Sequence, residues 1–147
     1  MTWLGLLHLI LVIVALAVGT VQFLRRPGTR DHRRRGYLFV GALLVSDIIV
    51  FGIYEDSQTP GIFHLLAIVS LVSLIVATAL VRGRTTLGRR MAHAHVMLWS
   101  FGGVVAAGLG QGATAIGQAP WPVILATFAV IAGLALRMDF RARLGPG

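Results

Sequence analysis

All thirteen basic side chains in this chain are arginines, and none falls inside the five long apolar stretches that make up most of its 147 residues. A helix satisfies its own backbone polar groups, and about 20 apolar residues carry it across a bilayer. The stretches cover residues 3–24, 37–54, 61–81, 92–116 and 119–136. Six arginines lie between the first and second (Arg25, Arg26, Arg30, Arg33, Arg34, Arg35). Four lie between the third and fourth (Arg82, Arg84, Arg89, Arg90), and three follow the fifth (Arg137, Arg141, Arg143). The N-terminus and the other two loops hold none, and one of those loops carries Glu55 and Asp56. Arginine-rich loops stay on the cytoplasmic side. The pattern therefore predicts an all-α, polytopic transmembrane helical bundle of five spans, N-terminus outside and C-terminus cytoplasmic. Residues 1–147 form a single integral membrane domain in this reading.

The placement of charge also separates two function classes. A net charge of +8 with only 12% charged residues suits either a membrane protein or a nucleic-acid binder. A nucleic-acid binder gathers its arginines on one face of a soluble fold, among stacking aromatics. Here they border apolar runs, where anionic headgroups are their natural partners, so the bilayer is the expected partner and nucleic acid is not. The first span has no positive n-region, and the arginines after it stop transfer, so it reads as a retained helix rather than a cleaved signal. Pro120-Trp121-Pro122 suits the first turn of the fifth helix, where a missing N–H costs nothing. No Gly-rich phosphate loop, Gly-x-Ser-x-Gly elbow or His-Glu-x-x-His motif is present. Cysteine is absent, which excludes disulfides, iron–sulfur clusters, thiolate zinc and covalently attached haem. Redox or metal chemistry is left to histidine, methionine and carboxylate.

Polar residues within the spans carry the functional signal, because each is costly in hydrocarbon. His8 and His64 sit about one turn inside the outer face. His32 lies in the loop just before span two, and His93 and His95 open span four at the cytoplasmic side. An outer pair and an inner group are what two b-type haems need, since each iron takes an axial imidazole from each of two facing helices. His8 with His64 would serve an outer haem, and His32 with His93 an inner one. Met97, one turn from His93, is either a soft ligand or a space-filler. Asp47 lies near the centre of span two, with Ser70, Ser73 and Ser100 at similar depth. It is either a proton carrier or counter-charge, or a carboxylic acid hydrogen-bonded to one of those serines. On span one, His8, Leu11, Val12, Ala15, Gly19 and Gln22 share one stripe. On span four, His93, Met97, Ser100, Ala107 and Gln111 form one stripe, and His95, Trp99, Gly102, Ala106 and Gly110 another.

Four short motifs recur in order along these spans. They are Leu-His at 7–8, His-Arg-x-x-Gly-Tyr at 32–37, Phe-His-Leu-Leu-Ala at 63–67 and His-x-x-x-Met-x-Trp-Ser-Phe at 93–101, followed by small residues ending at Gln111. Over most of residues 6–111 the chain resembles the bacterial membrane-protein family known as domain of unknown function 2306. The resemblance implies a bacterial plasma-membrane location. It selects His8, His32, His64 and His93, leaving His95 as a local extra. The family pattern tends to carry glutamate where this chain has Gln111, which removes the acid from any proton-transfer role there. The resemblance carries a name and favoured histidines rather than a reaction.

Two readings follow. In one, the protein binds haem b or a metal and passes electrons between the membrane faces. In the other, it is a non-catalytic subunit or scaffold that docks to a larger membrane complex through small-residue faces and arginine-rich loops, its histidines being structural.

Overall fold

Threonines set where three of the helices begin. The computed structural model of the chain describes residues 2–53, 61–139, 142 and 144. Among these residues there are five helices and no strand: α1 (Trp3–Leu24), α2 (Arg30–Val50), α3 (Ile62–Leu80), α4 (Leu87–Ala115) and α5 (Trp121–Arg137). The hydroxyls of Thr2, Thr29 and Thr86 accept from the backbone N–H of Gly5, His32 and Arg89. Each satisfies one of the donors that a helix start leaves unpaired. At the other end of α4, Gly117 adopts φ +74°. Its N–H bonds to Thr114 and that of Gln118 to Ala113, the two-bond stop that a left-handed residue permits. Helix α5 starts from Pro120 with Pro122 in its first turn.

The starts of α2 and α4 lie upstream of their apolar boundaries. Apolarity marks what lies in lipid, whereas the cap marks where hydrogen bonding begins. Helix α2 starts at Arg30 rather than residue 37, and α4 at Leu87 rather than residue 92. His32 is accordingly not in a loop but in the first turn of α2. Helix α2 closes at Val50, and residues 51–53 continue in tighter turns. Tyr54, Glu55, Asp56, Arg141 and Arg143 lie outside the described residues.

Helices α1, α3 and α4 are each long and apolar enough to cross a membrane. At 1.5 Å per residue the 29 residues of α4 span about 43 Å, more than the roughly 30 Å of hydrocarbon, which leaves Arg89 and Arg90 room outside it. Large apolar side chains stand exposed on every helix, Ile13, Ile48, Ile75, Leu109 and Leu125 among them. A surface of that kind suits lipid rather than water.

The chain divides into two compact units, Met1–Val72 and Ser73–Gly147. In the first, α1 and α2 pack antiparallel. Near one end of the pair, Gln22 Nε2 donates to the His32 carbonyl (2.8 Å), and its Oε1 accepts from Arg35 Nε (3.2 Å). Near the other, the His8 ring meets Ser46. Between them Ala15, Gly19, Phe39, Ala42 and Leu43 are buried. In the second unit, α4 lies against α5 with no space to spare. A Cβ on Gly102 would fall 2.6 Å from Ile131 Cγ1, and Trp99 stacks on Phe128 with ring centroids 6.1 Å apart. Without a hydrophobic drive between helices in lipid, such close packing and interhelical hydrogen bonds hold the elements together.

Candidate functional site

The N-terminal unit gathers a polar cluster from three helices. His8 Nδ1 lies 2.8 Å from Ser46 Oγ and 3.3 Å from the Ser46 carbonyl oxygen. A carbonyl only accepts, so both contacts hold together when Nδ1 carries the proton and donates to both oxygens. Nε2 is then the nitrogen with the lone pair. Beside Ser46, Asp47 is buried at 8% exposure. Ser70 of α3 is the neighbouring side chain that acts on its carboxyl. Even so, Asp47 Oδ2 and Ser70 Oγ have no hydrogen-bond partner among the described residues, so the two groups adjoin without a well-formed bond. His64 opens the same helix. Its Nδ1 accepts the Gly61 N–H at 3.2 Å, which puts its ring proton on Nε2, and its ring tilts against Phe51 at 5.9 Å.

The C-terminal unit presents a second histidine in a defined state. His93 Nδ1 donates to the Ala77 carbonyl at 2.8 Å, and Arg89 Nη2, one turn earlier on α4, donates to the Ala79 carbonyl at 2.8 Å. Ala77 and Ala79 belong to the last turn of α3, whose carbonyls have no partner within their own helix, and basic side chains suit that end of a helix. His93 Nε2 is left with its lone pair. Neither His8 nor His93 uses Nε2 in a hydrogen bond among the described residues. His95 instead donates Nδ1–H to Met91 of its own helix.

The remaining expected residues have these places. His32 donates its backbone N–H to Thr29, and its carbonyl accepts from Gln22. It belongs to the N-terminal unit and His93 to the C-terminal one. Met97 is half-buried on α4, Ser73 is half-buried on α3, and Gln111 is exposed. Ser100 is buried and donates back to Val96 of its own helix. No three His, Asp or Glu side chains gather to hold a metal ion among the described residues. The stripe predicted on α1 is observed, with Ala15 and Gly19 buried and His8, Leu11, Val12 and Gln22 half-buried.

Three partners escape a reading by residue type. Ser46 looks like a helix serine that bonds backward, the Ala77 carbonyl carries no side-chain signal, and Arg35 is one of six arginines in its segment. Hairpin symmetry is the signal that would find Ser46, since His8 and Ser46 each lie nineteen residues from Pro27.

The family described as "Predicted membrane protein (DUF2306)" matches residues 5–138 of the chain. No curated protein and no solved structure is significantly similar to it.

Proposed function

The chain belongs to this family of membrane proteins, and from that premise we propose that it is a b-type haem-binding electron carrier of the bacterial plasma membrane. In this reading the helices form five spans with the N-terminus outside and the C-terminus cytoplasmic. His8 then serves the outer half and His93 the inner half. The observation that carries the reading is the shared state of these two imidazoles. His93 gives Nδ1–H to the Ala77 carbonyl on a neighbouring helix, and His8 does the same in the tautomer that donates to the Ser46 oxygens, so each keeps the Nε2 lone pair. That arrangement fixes ring orientation and raises the basicity of the ligating nitrogen.

The donor set fits haem at His8 and His93. His64 fits once its ring proton moves from Nε2 to Nδ1 and the Gly61 N–H is released, and His32 is selected by motif and depth. Bound haem would supply one-electron exchange between ferric and ferrous iron. Ser46 and Ala77 hold the ligand tautomers. Asp47, adjacent to Ser46, offers Oδ2 as an atom that could take up a proton when an electron arrives.

Protein purified from haem-replete cells should show a Soret band. His93→Asn retains an N–H donor for the Ala77 carbonyl but removes the nitrogen that would hold haem, so the band should weaken. Colourless protein with no extractable haem would overturn the reading.

One observation favours the alternative of a non-catalytic subunit. A Cβ added at Gly108 or Gly112, one turn apart on α4, meets nothing within 4 Å, and Gln111 is exposed beside them. A small-residue face with a polar side chain is what a further transmembrane helix packs against. On this reading the protein co-purifies stoichiometrically with a membrane partner, Gly108→Leu breaks the association, and His8→Ala leaves it intact.

A further inference from the structure

Where α1 ends and α2 begins, the N-terminal unit has an open groove of about 680 Å³ walled by Val21, Leu24, Arg25, Arg26 and Arg35, with Asp31 as its one acid. Three guanidiniums against one carboxylate give the lining a net positive charge. Arg35 is the informative member. Its Nε is held by Gln22 Oε1, and Gln22 is itself held through its amide to the His32 carbonyl. The guanidinium is therefore fixed at its base, while its terminal nitrogens have no partner among the described residues. A fixed fork of this type matches two oxygens of a phosphate. The apolar wall supplies the second half of the argument. Val21 and Leu24 are exposed side chains on the last turns of α1, a helix apolar enough to cross a membrane. A ligand seated on the arginines would lay any attached chain along that surface.

We propose that this groove binds the phosphate of an anionic phospholipid, with Arg35 as the oriented donor, Arg25 and Arg26 as exposed counter-charges, and an acyl chain against Val21 and Leu24. The site touches a histidine only at the His32 backbone carbonyl that holds Gln22, uses no imidazole, and does not depend on haem binding.

The test adds short-chain phosphatidylglycerol to full-length protein in neutral detergent and reads bound lipid by native mass spectrometry. Phosphatidylcholine and inorganic phosphate serve as comparison probes. Phosphatidylglycerol should bind in preference to phosphatidylcholine, and the complex should weaken as salt rises. Arg35→Gln should reduce affinity about tenfold, and Arg35→Lys, which keeps the charge but loses the fork, should also weaken it. Arg25→Gln leaves the Gln22 network intact and should weaken binding too, so the proposal stands testable if Arg35 variants fold poorly. Arg82→Gln with Arg84→Gln removes two charges elsewhere and should leave binding unchanged. Equal loss in that control pair would show general surface attraction and overturn the site. Inorganic phosphate binding as tightly as the lipid would make free phosphate the ligand and overturn the lipid assignment.

Discussion

Adding one methyl group to Gly102 tests the closest approach between α4 and α5. The new Cβ would lie 2.6 Å from Ile131 Cγ1, 3.0 Å from Cδ1 and 3.1 Å from Cγ2. Carbon atoms rest at about 3.5–4.0 Å, so the neighbour must yield by roughly 1 Å. Ile131 cannot turn out of the way cheaply, because both γ-branches are in contact and a β-branched side chain on a helix has one strongly preferred χ1. The helices must separate instead, at an overpacking cost of about 1–3 kcal/mol. Alanine also raises helix propensity by about 0.8–1 kcal/mol relative to glycine, which masks part of that loss. Gly103 supplies the correction. Its Cβ would meet nothing within 4 Å, so Gly103→Ala carries the propensity gain alone. The stability difference between the two variants should therefore be about 1–3 kcal/mol, with Gly102→Ala the weaker. Trp99 stacks on Phe128 across the same helix pair, and the exposed Trp3 and Trp121 can be replaced by Phe. Trp99 fluorescence during unfolding in mixed micelles then reports α4–α5 separation. Ile131→Ala combined with Gly102→Ala should cost less than the sum of the single changes, with a coupling of about 0.5–3 kcal/mol. If Gly102→Ala matches Gly103→Ala in stability, the two helices do not approach as described.

Removal of the α2 or α4 cap by Thr29→Ala or Thr86→Ala should each cost about 1 kcal/mol, read as a lower unfolding temperature by circular dichroism. Thr20→Ala, which removes only a back-bond to Leu16, should not, and equal effects of all three would refute the capping account. Ser70→Ala deletes a buried hydroxyl that has no partner among the described residues, so stability should hold or rise by up to about 1 kcal/mol. A loss of that size instead would mean that Ser70 holds the Asp47 carboxyl by a direct bond.

How far the sequence reveals this arrangement depends on what each feature rests on. Helix α1 coincides with its apolar run because Thr2 caps it where apolarity begins. Helices α2 and α4 outrun theirs because their caps, Thr29 and Thr86, lie upstream among arginines. Apolar content alone gives no weight to such positions. The histidines were legible as polar residues in costly places, and the inward stripe of α1 followed from its period. Their tautomers were not legible. The state of His93 depends on the Ala77 carbonyl, and that of His8 on Ser46. These are tertiary contacts to atoms that carry no distinctive side-chain signal.

Two of the polar contacts that join α1 and α2, one near each end of the pair, stand at matched spacings. Fourteen residues separate His8 from Gln22 on α1, and fourteen separate His32 from Ser46 on α2. At 1.5 Å per residue both intervals are about 21 Å. The pair is thus a bar bolted at two points with equal hole spacing. Sliding one helix past the other shears both bolts at once, and a single residue inserted between His8 and Gln22 turns one bolt about 100° out of line. What bears on the arginine end is accordingly carried, as rigid displacement, to the imidazole at the other.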